Sequence, residues 1–590
     1  MKFRWSVLPA QPLLAGQLAK DLNLLPLLAQ CLLNRDLCAP DGICRFLQPR
    51  LKNLSDPFLL PNMSAAVERL FRSRQADEPV VIFGDYDVDG VSSTALLFEV
   101  LSSLHWNVCY YLPHRIEEGY GLSRQALENC LNKHPAKVLL AVDCGSSAVE
   151  SIQLLQERGI DVLILDHHQV SSPAPAALAL VNPQLNSKTQ LCSSSSTDDG
   201  DCGNGAGSAF TELCSVGLAF KLAHALIKHG REIGLPGASE FDLRPLLDLV
   251  ALGTIADLVP LTGENRILVS AGLERLNTTR RPGLIALKQV TKCSTPLTAF
   301  EVAFQLAPRL NAAGRLETAE ASLHLILAHD LAEARPLALN LDARNRERQQ
   351  LERNIAEAAV AAVRLRFKPE NDFVIVEGDS QWHIGVVGIV ASRVLQQFYR
   401  PTIIVGGDGA EWRGSGRSIS GFDLAGALRE CSDLLVRHGG HAMAAGISIL
   451  PGRLDDFRVR LNEVARRFLT PDSFQPQLRL DAEVGLEEMT LLCLDQLGQL
   501  RPAGQGNPAV QFLARNLTHD RPLQRMGAQK QHVKLWPTDG ATLHEGVWWG
   551  AGNESLPVGR FDLAFTPEIN VYNGRRSVQL KVLDWRPTGA

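Results

Sequence analysis

Apolar and charged positions along this chain come in blocks, and three of the blocks share one form. Val80, Val81, Ile82 and Phe83 run unbroken into Gly84, then meet Asp85, Asp87 and Asp89 at alternate positions before Gly90. Val138-Leu139-Leu140-Ala141-Val142 ends in Asp143-Cys144-Gly145, and Val162-Leu163-Ile164-Leu165 ends in Asp166-His167-His168. Such short apolar runs read as strands buried on both faces of a parallel sheet. Helix-like stretches near residues 92–104 and 147–158 separate them. This β-α-β alternation predicts an α/β domain whose strand ends share one rim, the place where chemistry collects in open α/β sheets.

Beyond that domain the pattern changes. Residues 1–75 are apolar and helical in flavour, with Asp56-Pro57-Phe58 near their end. Residues 186–207 are rich in Ser, Gly and Asp, a composition that cannot bury a core and reads as a flexible loop. Residues 341–367 are charged and alanine-rich and predict a long, largely exposed helix. A second lobe starts near Asp372-Phe373-Val374-Ile375-Val376 and runs to about residue 470, before a Pro-containing linker at 471–476. Short β-like runs broken by turns, such as 532–536 and 578–582, then predict a small barrel.

The strand tips carry the chemistry. Three carboxylates crowded together repel and raise one another's pKa unless a cation neutralises them; the alternative for one tip alone is an acidic turn facing solvent. Oxygen ligands mixed with imidazole suit Mn²⁺, Mg²⁺ or Fe²⁺ rather than structural zinc. In the second lobe, Gly414-Ser415-Gly416-Arg417-Ser418 and Gly439-Gly440-His441 are turns whose amides can approach a phosphate. Arg417 and Arg315 offer planar forks of the right shape, and Arg115 can meet the same anion. In the barrel, Trp536, Trp548, Trp549 and Tyr572 alternate with Lys530, Lys534, Arg575, Arg576 and Lys581. Most of these rings belong to a core, and one or two exposed ones would suffice to stack bases.

Composition narrows the classes. A chain of 590 residues with 45% hydrophobic content supports three or four domains. The net charge of −5 gives no global basic field, so polyanion binding must use local patches and bound cations. The twelve cysteines form no CxxC pair, which suits a reducing cytosol. No segment approaches the ~20 apolar residues of a membrane span, and a soluble, cytoplasmic protein is expected.

Taken together, the motifs resemble the DHH phosphoesterase superfamily and, within it, the single-strand-specific exonucleases. Gly84–Gly90, Asp143-Cys144-Gly145 and Asp166-His167-His168 match the first, third and fourth motifs. Pro113-His114-Arg115 with Glu118-Gly119-Tyr120-Gly121 fits the second, and residues 251–261 fit the fifth. Residues 308–315, 385–393, 414–418 and 439–446 complete a set in family order.

The resemblance implies an α/β fold: a DHH domain with a parallel sheet and a second α/β lobe (DHHA1) joined by a long connector helix, plus a C-terminal β-barrel OB-fold. The corresponding segments are an N-terminal lead-in at 1–75, the metal domain at 76–275 with its insertion at 186–207, a helical connector at 276–370, the substrate-binding lobe at 371–470 and the barrel at 471–590. Implied metal ligands are Asp85, Asp87, Asp89, Asp143, His167, His168 and Asp257. Asp85 is a ligand or a close support, Asp143 a bridge between two ions, and His168 either a ligand or a partner of the scissile phosphate. Asp166 would support a metal-bound imidazole. The catalytic set is Asp87, Asp89, Asp143, His167, His168 and Asp257, with two Mn²⁺ or Mg²⁺ ions as cofactors. Arg115, Asn311, Arg315, Ser415, Arg417, Ser418, Gly440 and His441 would hold the 5′ end of the strand.

The implied activity is a 5′→3′ exonuclease on single-stranded DNA that releases 5′-mononucleotides in recombination and repair. Single-stranded-DNA-binding protein and a helicase are implied partners, and no membrane is. Two alternatives share the scaffold: a small-substrate phosphodiesterase cutting oligoribonucleotides or cyclic dinucleotides, and a non-catalytic replication factor. The chain departs from the pattern at His114, where Asn is expected, and at Ser215, where Gly is frequent.

Overall fold

The apolar runs pair as their sequences dictate. The computed structural model describes residues 3–115, 117–185, 210–316, 318–407 and 409–589, and the insertion expected at 186–207 lies outside the described residues. The chain divides into two units, one of residues 45–348 with 502–508, the other of residues 1–44, 349–501 and 509–590.

In the first unit, β1 (Val80–Gly84), β2 (Val108–Tyr111), β3 (Val138–Val142), β4 (Asp161–Leu165) and β5 (Ala179–Val181) form a parallel sheet in the order β2-β1-β3-β4-β5. Helices α1 (Val88–Ser103) and α2 (Val149–Glu157) follow β1 and β3. Alternate residues of each strand enter different cores. Ile82, Leu140, Leu163 and Leu165 pack on one face with Ala95, Leu96 and Val100 of α1. Val81, Phe83, Leu139, Ala141 and Ile164 pack on the other with Ile152 and Leu155 of α2. Burial on both faces is why the strands read as continuous apolar runs, and it holds their tips in one row.

Helix α1 begins at Val88, earlier than the pattern suggests, because Asp87 caps it. Gly90 lets the helix start that close to the strand end: a Cβ there would lie 2.6 Å from the Asp85 carbonyl oxygen. Helices α3 (Ser215–Glu232) and α4 (Leu247–Ala256) pack beside α1, and α5 (Ala307–Leu316) follows a π-helical turn at Val302–Leu306.

A single helix, α6 (Leu331–Arg366), carries the chain from one unit to the other. It starts before residue 341 and runs through Pro336, a residue that ordinarily marks a helix boundary. The expectation of a largely exposed helix is corrected. Ile355, Ala356, Ala359 and Val363 form a buried stripe, and Glu352, also buried, pairs with Arg393.

In the second unit, β6 (Ile375–Asp379), β7 (Thr402–Gly406), β8 (Trp412–Arg417), β9 (Arg437–Gly440) and β10 (Ala444–Ile449) form a mixed sheet in the order β9-β10-β8-β7-β6. Helix α7 (Val387–Phe398) covers one face together with the buried stripe of α6. The C-terminal sheet is built on a long hairpin, Phe561–Tyr572 with Arg575–Pro587, turned at Asn573 and Gly574, both with positive φ. The strand His532–Leu535 pairs with Glu545–Trp548, and its continuation Pro537–Thr538 pairs with Phe512–His519 across the sheet, which closes the barrel. Trp548 lies in the core, whereas Trp549 and Tyr572 are 54% and 73% exposed. The α/β fold class with a parallel first sheet and a terminal barrel is as the sequence predicts.

Gly90→Ala is expected to cost ~1–3 kcal/mol, since backbone rather than a flexible side chain must yield. Urea unfolding measures it, and a variant as stable as wild type would contradict the close packing of α1 on the strand end.

Candidate metal centre

One capping turn delivers three of the acids. Asp85 follows β1 and is 2% exposed. Asp87 is the N-cap of α1, its Oδ1 accepting hydrogen bonds from the amides of Asp89 (2.9 Å) and Gly90 (3.1 Å). Asp89 sits buried in the first turn of the helix. A helix N-terminus favours carboxylates there. Asp143 ends β3 with φ of 63°, a left-handed conformation that aspartate tolerates better than most residues. Its amide donates to Leu165 O at 3.0 Å, and Tyr120 Oη donates to its carbonyl at 3.2 Å. Asp257 caps the C-terminal end of α4.

The N-terminus of α3 holds two of these acids. The Ser215 and Val216 amides donate to Asp89 Oδ2 and Oδ1, each at 2.8 Å, and Ser215 Oγ donates to Asp143 Oδ1 at 2.9 Å. The histidine tip is organised by Asp166, which accepts from the amides of Ser146 (2.9 Å) and His168 (3.2 Å) and bonds His168 Nδ1 at 2.7 Å. Buried Asn182 ties that loop down by donating to His168 O at 2.9 Å and Ser146 Oγ at 2.8 Å.

Three polar atoms in this cluster are left over. Asp85 Oδ1, His167 Nε2 and Asp257 Oδ2 are buried without a hydrogen-bond partner among the described residues, a costly state for a polar atom. His167 Nε2 stands 3.4 Å from Asp257 Oδ2 and 3.7 Å from Asp143 Oδ1. These separations are too long for good hydrogen bonds. They approach the spacing of about 3 Å between neighbouring ligands of an octahedral ion with ~2.1 Å bonds. Asp85, Asp87 and Asp143 form one group with ligand atoms within 4.8 Å of one another, and Asp143, His167 and His168 form a second. Asp89, Cys214 and Asp257 form a third. Burial, then the charge of Asp89, pushes the Cys214 thiol well up, so it stays protonated and is a poor ligand. The donors that remain are hard oxygens and imidazole, and they fit Mn²⁺ or Mg²⁺.

Electrostatics agree with that fit. Burial, then the neighbouring Asp87, raises Asp89 to about 7. Burial, then Asp89, raises Asp257 to about 9. Asp85 and Asp143 are pushed well above the carboxylate range, first by burial and then by nearby acids. Burial, followed by the charge of His168, lowers His167 to about 4, so its imidazole is neutral and able to ligate. Burial also opposes a charge on His168, but the hydrogen bond and charge of Asp166 outweigh it and raise His168 to about 9. Against its own burial, Asp166 is held at about 2 by His168 and Ser146.

Part of the expected substrate set reaches the same rim. Asn311 Oδ1 accepts from the Val88 amide at 3.1 Å, beside the Asp87 cap. Gly314 allows α5 to approach, since a Cβ there would lie 2.6 Å from Tyr86 O. The Arg115 guanidinium stands 5.0 Å from the centre of the Tyr86 ring, and the charge of Arg315 reaches the same tyrosine.

The other residues gather in the second unit. Arg417 donates to Ser415 Oγ and Gly416 O, each at 2.8 Å, and Gly388 in the first turn of α7 packs against Ser415 and Arg417. Gly440 and exposed His441 lie at the turn from β9 to β10. The Ser418 hydroxyl donates to Phe422 O at 2.8 Å, within its own loop.

Sequence reading misses two supports. Asn182 is a polar residue ending an apolar strand at the same rim, a signal available at Val181-Asn182-Pro183. Ser215 stands out in the sequence only as a departure, because amides at a helix start leave no trace in side-chain pattern.

A parallel sheet whose strand tips gather carboxylates and imidazole, followed by a second α/β lobe and a barrel, defines a phosphoesterase of the DHH class. The model of the DHH family N-terminal domain matches residues 79–254, that of the DHHA1 domain residues 371–467, and that of the RecJ OB domain residues 480–584. The chain belongs to the RecJ family. It is 35% identical over 589 residues to the single-stranded-DNA-specific exonuclease RecJ of Bacillus subtilis, covering 99% of this chain and 71% of that one. It is 37% identical to the RecJ of Dickeya dadantii, covering 93% and 95%. The crystal structure of Thermus thermophilus RecJ in complex with Mn²⁺ superposes with a TM-score of 0.81 at 29% identity, covering 100% of this chain and 80% of that one.

The raised carboxyls bind protons more tightly in the folded chain than in the unfolded one. Without metal, their contribution to stability is full below about pH 4 and is lost as pH rises through about 7 for Asp89 and about 9 for Asp257. Mn²⁺ must displace those protons, so its stabilisation should grow over the same interval. Thermal unfolding in EDTA and in Mn²⁺ measures this; a gap that stays constant or narrows from about pH 6 to about pH 9 contradicts it.

Proposed function

We propose that this chain is a metal-dependent 5′→3′ exonuclease on single-stranded DNA that releases 5′-mononucleotides. The observation that carries the reading is the convergence of Asp85, Asp87, Asp89, Asp143, His167 and Asp257, three of them with buried unpaired atoms, in a chain related along nearly its whole length to single-stranded-DNA-specific exonucleases. Those six residues would hold two Mn²⁺ or Mg²⁺ ions, which when bound lower the pKa of water and neutralise charge developing on the phosphate. Asp143 is suited to face both ions, since it belongs to two of the ligand groups.

The protein's own groups complete the reaction. His168, kept charged by Asp166, has its other ring nitrogen left to meet a phosphate oxygen. Arg115, Asn311 and Arg315 border the metal rim and would orient the strand. Ser415, Arg417, Gly440 and His441 would take the terminal phosphate, with Ser418 shaping their loop. Exposed Trp549 and Tyr572 would stack bases, each worth ~1–3 kcal/mol regardless of sequence. The barrel disfavours a small-substrate phosphodiesterase, and the intact acids disfavour a non-catalytic factor. Recombination and repair in the cytoplasm, with a single-stranded-DNA-binding protein and a helicase as partners, complete the proposal. No helix among the described residues is long and apolar enough to cross a membrane.

The test uses Mn²⁺ with a 5′-labelled oligonucleotide, a 3′-labelled copy and a duplex. Immediate release of labelled mononucleotide from the 5′-labelled single strand alone is expected. Asp143→Ala should lower the rate at least about a hundredfold, the scale of losing one electrostatic partner of the transition state. Early label release from the 3′ end, or equal cutting of the duplex, would overturn the proposal.

A further inference from the structure

Ser215 is the one residue among those described that bonds two different acids of the metal centre. Its amide donates to Asp89 Oδ2 at 2.8 Å and its hydroxyl to Asp143 Oδ1 at 2.9 Å. The side chain is fully buried at the first position of α3, an 18-residue helix whose positive end faces both carboxylates. The two bonds have different supports. Asp89 is held by backbone, through Ser215 N and Val216 N together, and would keep both bonds whatever side chain stood at 215. Among the described residues, the Asp143 carboxylate accepts a hydrogen bond only from the Ser215 hydroxyl. His167 Nε2 stands 3.7 Å from the same oxygen, beyond hydrogen-bond reach.

We infer that Ser215 is a positioning residue for the metal centre: its hydroxyl fixes the orientation of Asp143 and so sets the affinity of the ions that Asp143 would bind. This rests on the metal-dependent reading above. Asp143 sits on a left-handed backbone position among other acids, and among the described residues no other hydrogen bond opposes rotation of its carboxylate away from them. The donated hydroxyl holds Oδ1 in place, so that the group enters metal binding already oriented. Residues that support ligands in this way typically change metal affinity 10–100-fold when removed.

The test measures Mn²⁺ binding directly, by the loss of the free-ion electron paramagnetic resonance signal, without DNA. Wild type, Ser215→Ala, Ser215→Gly and Asp143→Asn are compared, with thermal unfolding in EDTA as the control for folding. Ala keeps the helix, and Gly removes the hydroxyl without adding volume, so one variant suffices if the other fails to fold. Weaker Mn²⁺ binding by about tenfold or more, with unfolding in EDTA little changed, is the expected result. Unchanged Mn²⁺ affinity in a folded Ser215 variant, while Asp143→Asn loses it, would overturn the inference and leave the metal centre standing. Absence of Mn²⁺ binding by wild type would overturn both.

Discussion

Like charges brought together out of water are the constraint on which this structure turns. Asp85, Asp89 and Asp143 are buried at one sheet rim with Asp87 and Asp257 beside them, and burial, then the charge of neighbouring acids, raises Asp85, Asp89, Asp143 and Asp257. The fold answers with partial charges of the opposite sign. The start of α1 gives two amides to Asp87, the start of α3 gives two to Asp89, and His168 is stabilised as a cation against Asp166. What the protein does not satisfy, at Asp85 Oδ1, Asp257 Oδ2 and His167 Nε2, is a set of two hard carboxylate oxygens and one imidazole nitrogen. Divalent cations are the chemical species that such a set selects.

The legible parts of the fold are those written in consecutive residues. Strands β1, β3 and β4 fall where their apolar runs lie, because burial on both faces leaves no alternation to misread. The acids and histidines at their tips are readable for the same reason. Less is legible where structure depends on distant partners. The clamp of Ser215 and Val216 on Asp89 joins residues far apart in the chain and uses amides that every sequence has. The early start of α6 is hidden by Pro336, and its buried stripe by the charged residues around it.

The second unit shows how charge read from sequence overstates a binding surface. Lys534 pairs with Glu545, Arg576 with Asp495, and Lys581 stands 3.9 Å from Glu568. Much of the basic strip expected on the barrel is thus matched by acids of the same unit. The expectation that most of the four rings fill the core is corrected: only Trp548 is buried, Trp536 is half-buried, and Trp549 and Tyr572 are exposed. Arg417 is a related case: burial disfavours its charge, and its fork already bonds Ser415 and Gly416. An anion arriving there would meet a guanidinium whose direction is already set, so little ordering would remain to be done.

The spread of the acids along the chain has a consequence for biosynthesis. The cluster needs Asp85, at the first strand tip, and Asp257, at the end of α4, and it is braced by α3 in between. At translation rates of roughly 5–20 residues per second, on the order of ten to thirty seconds separate the emergence of the first acid from the last. During that interval the nascent chain carries a strand-tip acid triplet but no complete centre. No local segment can therefore assemble the centre by itself, and its formation is tied to the folding of residues spread from the first strand tip to the end of α4.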